Sequence, residues 1–234
     1  EIPWSDWSSD VCSSDLREQI SVTGMVLMAA PVGEYDRRLV ILTRGRGKIT
    51  AFARGVRRPG NQLMAAAAPF VFGKFLLYEG RDAYTLAGAE VENYFREIAG
   101  DMEAACYGSY FLELADYYGR ENIDATETLR LLYQSLRAPL KPSVPNRLVK
   151  PVYELKLMEI NGEYRELPLG RLNDSTLYAW QYVLAAPVES LYTFTLTDQV
   201  LGEFVRCVEQ NKERFIDKTF HSLDILNAVM DNAT

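Results

Sequence analysis

Eight basic side chains lie between Arg37 and Arg58: Arg37, Arg38, Arg44, Arg46, Lys48, Arg54, Arg57 and Arg58. No acidic residue interrupts them. A run of this kind suits phosphate, because each cation placed on a phosphate releases a condensed counterion. Phe52 sits inside the run, and Tyr78 and Tyr84 follow it. Flat rings beside cations form the stacking platforms on which single-stranded nucleic acid lies. Packing within or across a sheet is the competing role of each ring, and an ordinary solvated face is the competing role of Arg54, Arg57 and Arg58. The residue types favour phosphate contact over the reading of base edges.

Chemistry of other kinds finds few residues to use. His221 is the only histidine, so an acid–base or Ser-His-Asp arrangement would rest on it alone. In KTFHSLDIL it reads instead as a polar contact at a helix start, with Ser222 as a candidate N-cap. The RGRGK segment is too short for a phosphate-cradling loop and lacks its hydroxyl residue. Asp82, Glu90 and Glu92 read as surface groups. Cys12, Cys106 and Cys207 are far apart and odd in number, against a disulfide framework. Cys106 and Cys207 read as buried thiols in helices. With no clustered Cys or His, neither a metal site nor a cofactor is expected.

The net charge of −7 over 234 residues hides an asymmetry, since from residue 91 onward 22 acidic residues face 14 basic ones. A locally basic part is thus joined to an acidic one. A hydrophobic content of 48% suits a globular chain with a real core. No stretch reaches the roughly 20 apolar residues of a membrane span, and no leader pattern opens the chain. A cytoplasmic protein is expected.

The elements that must carry the basic run read as strands. VTGMVLMAAPV, RRLVILT, KITAFARGV, PFVFGKFLLYEG and AYTLAGAEVENYF are five short segments. Turn signals at Gly33, Gly45–Gly47, Pro59-Gly60 and Gly80–Asp82 separate them. Five strands in about 70 residues suit a small barrel. After Glu97 the apolar spacing becomes three and four. Helices are expected through DMEAACYGSYFLELADYYG and TETLRLLYQSLRAPL. In the second, Leu129, Leu132, Tyr133 and Leu136 share a face, with Asp124 or Thr126 as cap. PNRLVKPVYELKLMEINGEY continues the pattern, with Pro151 near its start. TLYAWQYVLAA, TDQVLGEFVRCVEQNKERF and SLDILNAVM follow a Gly/Pro-bearing segment.

The run GEYDRRLVILTRGRGKITAFARGVRR closely resembles the amino-terminal domain of the bacterial recombination mediator and DNA repair family RecO. The resemblance is carried by Glu34–Arg38, by the Gly47-Lys48 turn and by Arg54-Gly55-Val56-Arg57-Arg58. The aromatic Pro69–Phe72 and Leu77-Tyr78, then YGSYFLELAD, VYELKLMEINGEYRELP and KTFHSLDIL, continue it in order to about residue 226. It implies a multi-domain β + α protein, an N-terminal OB-fold barrel followed by an all-α helical domain. It also implies a non-enzymatic protein that binds single- and double-stranded DNA and promotes strand annealing. Such a protein works with RecR and single-strand-binding protein to load the RecA recombinase, in the bacterial cytoplasm at the nucleoid. Many relatives carry four zinc-ligating cysteines after the segment matching NGEYRELP. Residues 161–180 hold none, so the zinc-finger region near 161–176 reads as degenerate and held by packing.

The expected division is an extension over 1–19, an OB-fold nucleic-acid-binding domain over 20–92 and a helical RecO-like domain over 93–234. Within the extension, DWSSDVCSSDL follows no structural period. Spelled back into codons it resembles a common sequencing-adapter oligonucleotide. It reads as non-native or disordered, with the true first residues missing, and Trp7 and Cys12 then carry no function. The expected DNA-contacting set is the eight basic residues with Phe52 and Tyr78. The competing function is a non-catalytic helical scaffold whose barrel binds an acidic protein partner.

Overall fold

Strict alternation in KITAFA and near-continuous apolar character in VLM and LVIL ask for different surroundings, and the structure supplies both. The computed structural model of the protein describes residues 18–141, 144–168 and 170–232. The reading of DWSSDVCSSDL lies outside them. Five strands come first: β1 (Gln19–Val32), β2 (Asp36–Thr43), β3 (Gly47–Ala53), β4 (Phe72–Tyr78) and β5 (Tyr84–Asn93). They close in the order β1-β2-β3-β5-β4, with β3–β5 parallel and the other pairs antiparallel. This is the oligonucleotide-binding topology. β1 pairs with β4 through Gln19–Met25 and with β2 through Gly24–Val32, bending at a bulge between Val26 and Met28. The strand therefore starts at Gln19, inside the stretch read as an extension.

Val22, Val26, Leu39, Ile41, Ile49, Phe75, Leu77 and Leu86 fill the barrel. Each such side chain contributes roughly 1.5–3 kcal/mol on burial. Met25, Leu27, Val40 and Leu42 are buried too, but in the core shared with the helices. Burial on both faces explains why β1 and β2 lack clean alternation, whereas β3 alternates along its whole length. The third strand, expected through Val56, stops at Ala53 because Gly55 turns the chain with φ 62°. The fourth begins at Phe72, just after Phe70 with φ 70°.

The helices are α1 (Arg96–Ala99), α2 (Met102–Tyr118), α3 (Thr126–Arg137), α4 (Asn146–Ile160), α5 (Asp174–Ala185), α6 (Asp198–Phe215) and α7 (His221–Asn232). Asp101 caps α2 by accepting from the Ala104 N–H. α2 buries Tyr107, Tyr110, Phe111, Leu114 and Ala115 at the centre of the helical layer. In α3, Leu129, Leu132 and Leu136 are buried as expected, and Tyr133 lies against Phe72 and Phe95. Asp124 accepts from the N–H and hydroxyl of Thr126. Those bonds hold its carboxyl below the usual carboxylate range. Pro151 is buried inside α4, which runs unbroken through it.

α7 returns to α2. Ser222, expected as a cap, instead gives its N–H and its hydroxyl to Glu113 of α2. Burial opposes the charge of Glu113, but those bonds and the His221 N–H outweigh it and lower its pKa. Segment 161–168 is fastened by side chains from elsewhere. Tyr118 donates to Glu163, Asn211 donates to the Glu163 carbonyl and accepts from the Arg165 N–H, and Trp180 donates to the Arg165 carbonyl. Among the described residues, no three His, Cys, Asp or Glu side chains converge as a metal site would require. Burial raises the Cys207 thiol.

Barrel and helices meet through backbone as well as side chains. The α2–α3 loop lies against the β2–β3 turn: the Lys48 N–H donates to the Arg120 carbonyl, and the Asn122 N–H to that of Arg46. At Gly47, φ is 67° and a Cβ would stand 2.1 Å from the Arg120 carbonyl oxygen. Gly47→Ala is therefore expected to destabilise the protein by at least about 3 kcal/mol, through a left-handed conformation and an enforced parting of the two loops. A urea unfolding curve checks it, and a loss under about 1 kcal/mol counts against the close approach.

Candidate nucleic-acid interface

Arg54, Gly55, Val56, Arg57 and Arg58 form a turn at the rim of the barrel, and its rigidity has identifiable sources. Val56 is buried in the barrel core and anchors the turn from within. The Gly55 N–H donates to the Asp36 carboxylate at 2.7 Å, and the Arg57 N–H to the Tyr35 carbonyl at 2.9 Å. Asn61 donates to the Gly55 carbonyl at 3.0 Å. With the backbone held, Arg54, Arg57 and Arg58 project into solvent. The Arg58 guanidinium stands 5.2 Å from the centre of the Tyr35 ring, a cation–π distance. A hydrogen bond with Glu34 is the main cause raising the Tyr35 phenol's pKa, so the ring beneath Arg58 stays neutral.

A second set lies on the barrel wall. Arg38 faces Phe52 across β2–β3, Phe52 faces Thr85 across β3–β5, and Thr85 faces Tyr78 across β5–β4. Arg38, Phe52 and Tyr78 thus share one register row on the outer surface. Direct cross-strand neighbours have Cβ atoms about 4.5–5.5 Å apart. Phe52 belongs to neither hydrophobic core, and Tyr78 is exposed. Tyr84 packs against the barrel core instead, and its hydroxyl accepts from Arg46.

The remaining basic residues are not equivalent. Arg37 donates to the Ala67 carbonyl at 2.7 Å, which ties the loop before β4 to the barrel. Lys48 reaches the carbonyl and the carboxylate of Asp116, at 2.7 and 3.1 Å, and joins β3 to the end of α2. Arg46 lies 3.7 Å from Glu79. Arg44 is exposed beside the cleft between barrel and α3. Among the described residues, Arg38, Arg44, Arg54, Arg57 and Arg58 form no ion pair. The structure therefore brings together Arg38, Arg54, Arg57, Arg58, Phe52 and Tyr78 as an open surface. It commits Arg37 and Lys48 to internal contacts.

With the barrel, its basic rim and the helical layer in view, comparison with known proteins assigns the chain to a family. Residues 17–95 match the family model "Recombination protein O N terminal", and residues 99–167 match "Recombination protein O C terminal". The chain belongs to the recombination protein O family. It is 22% identical over 243 residues to "DNA repair protein RecO" of Acetivibrio thermocellus, covering 90% of this chain and 97% of that one. It is 34% identical over 143 residues to the protein so named from Alkaliphilus metalliredigens, covering 61% of this chain and 58% of the relative. The Desulforudis audaxviator protein of that name is 34% identical over 152 residues, covering 64% and 59%. The latter two alignments thus span less than two thirds of those relatives' own length.

Family likeness does not reveal which residues hold the basic turn. Tyr35, Asp36 and Asn61 do so, and none was singled out from its spacing as a support. Only a short acidic residue at the start of a strand, ahead of a Gly-centred turn, hints at the role of Asp36. Asp36→Ala is expected to weaken DNA binding by about threefold to tenfold while the fold persists. Losing an acid from a basic surface would by itself strengthen binding, so the sign of the change separates positioning from charge. Fluorescence anisotropy with a labelled oligonucleotide checks it, and tighter binding by the variant sinks the idea.

Proposed function

We propose that the protein is a non-enzymatic, DNA-binding recombination mediator in DNA repair. It binds single- and double-stranded DNA, promotes annealing of complementary strands, and with RecR and single-strand-binding protein helps place the RecA recombinase on DNA. The observation that carries the reading is the pinned turn, whose three exposed arginines form no ion pair among the described residues, beside the Arg38–Phe52–Thr85–Tyr78 row. Guanidinium groups take phosphates, and the rings offer faces on which bases stack without regard to sequence. A pre-set turn loses little freedom when DNA arrives, which favours binding. His221 is exposed at the start of α7, with its backbone N–H turned to Glu113. The reading places the protein in the bacterial cytoplasm at the nucleoid. No helix among the described residues is long and apolar enough to cross a membrane.

Titration with labelled single-stranded DNA at several salt concentrations tests this. The logarithm of affinity should fall linearly with that of salt, with a slope near −0.7 for each phosphate engaged. A folded protein without salt-dependent DNA binding would instead favour an acidic protein as the barrel's partner. Capture of RecR from the same organism tests the wider assignment.

A further inference from the structure

Helix α5 and the segment leading into α6 enclose a groove of about 670 Å³ on the helical layer, lined in part by Asp174, Tyr178, Tyr182, Phe194 and Leu196. Tyr178 is 71% exposed, an unusual position for a large ring on a helix. Its ring is stacked with that of Tyr182, the centroids 6.5 Å apart. Phe194 meets Tyr182 edge-on at 5.2 Å. Tyr182 is held by its hydroxyl, which donates to the Ser190 carbonyl at 2.9 Å. The rings thus form an aromatic wall, and among the described residues the one charged side chain lining the groove is the Asp174 carboxylate.

The segment 194–196 forms the other boundary of the groove. Phe194, Thr195 and Leu196 lie in a non-helical, non-strand segment. Among the described residues, their main-chain N–H and C=O groups make no hydrogen bond. Open main-chain groups beside side-chain pockets are the features by which proteins hold extended peptides. Electron-rich ring faces with a carboxylate at one end favour a cation. Among the described residues no Lys or Arg lines the groove, and the Asp174 carboxylate repels phosphate.

We propose that this groove is a docking site for an extended segment of a partner protein that carries an arginine or lysine. The main chain of the segment pairs with residues 194–196. The cation lies against Tyr178 and Tyr182 within reach of Asp174, and apolar neighbours contact Phe194 and Leu196. This role is separate from the DNA contact proposed for the barrel.

Random dodecapeptides displayed on phage and panned on the full chain test it. Selected peptides are expected to carry Arg or Lys flanked by apolar residues and to bind the Tyr178→Ala chain at least tenfold more weakly. Asp174→Asn, which leaves every ring in place, should weaken them about threefold. Citrulline in place of the selected arginine keeps the shape, removes the charge, and should cost about tenfold. The assignment is overturned by a library without binders, by peptides that bind Tyr178→Ala unchanged, or by peptides that tolerate citrulline. It is also overturned if Tyr178→Ala lowers affinity for a labelled oligonucleotide, since the groove would then be a nucleic-acid surface. Changing Arg54, Arg57 and Arg58 should leave peptide binding intact, so this proposal and the DNA reading fail separately.

Discussion

Replacing Arg54, Arg57 and Arg58 together by alanine is expected to weaken binding of single-stranded DNA about a hundredfold at roughly 0.1 M salt. The figure follows from counterion release at about 0.7 per phosphate for a single strand, which for three lost contacts also flattens the salt slope by about 2. The loss should be the same for unrelated sequences, because phosphate contacts position the strand without reading it. All three side chains are exposed and form no ion pair among the described residues. The turn's supports, Val56, Asp36, Tyr35 and Asn61, stay in place. The unfolding midpoint should therefore hold within a few degrees. Unchanged affinity in a folded triple variant would remove the rim of the barrel from the binding surface.

The same surface shows what was legible from residue order alone. The barrel was legible because short β-rich runs alternate with Gly- and Pro-bearing turns, and because a basic run without acids needs an open rim. That Arg54, Arg57 and Arg58 are exposed fits that pattern, but the turn over 54–58 does not follow from it, since KITAFARGV reads as strand through Val56. Arg37 and Lys48 look identical to them in sequence, yet their acceptors are Ala67 and Asp116, 30 and 68 residues away. No local pattern reports a partner at that distance. Tyr84 looked like a stacking ring by type, but its place in the alternation of β5 turns it to the barrel core. Phe52 and Tyr78 take the outer parity, yet only the closed barrel, which sets β5 between β3 and β4, puts them in one row.

Charge inside the helical layer was least legible, and it carries the largest expected effect on stability. In α4 the apolar stripe is evident in the sequence, but nothing in the spacing marks Glu154 as an interior group with Lys150 beside it. Glu154 is 1% exposed. It accepts from the Tyr110 hydroxyl at 2.6 Å and lies 3.1 and 3.0 Å from Lys150 and Lys212. Glu209 closes the network at 2.6 Å from each lysine. Two carboxylates and two ammonium groups thus balance between α4 and α6. Glu154→Ala leaves the buried Lys212 and the partly buried Lys150 facing one carboxylate, and is expected to cost about 3–5 kcal/mol. Removing Glu154 and Lys212 together, both as methionine, leaves the neutral Lys150–Glu209 pair and should recover at least half of that loss.

The pH dependence follows from the same charges. Burial works against the Glu209 carboxylate, but Lys150 and Lys212 outweigh it and hold its pKa below the usual value. Its contribution is present above the unfolded carboxylate pKa, near 4.3, and is lost as pH falls through the lower folded value. Lys150 is also opposed by burial, yet Glu154 and Glu209 raise its pKa above the ordinary lysine value. Its contribution is present below about 10.4 and is lost as pH rises through the folded value. Between those limits the network keeps the wild-type unfolding free energy on a plateau. The Glu154→Ala chain should lie well below it and fall less steeply toward alkaline pH, because one of the two carboxylates holding Lys150 is gone. Urea unfolding at a series of pH values separates the cases. A penalty under about 1 kcal/mol at neutral pH would mean that the interior relaxes to hydrate the two lysines, and that helix packing alone holds α4 against α6.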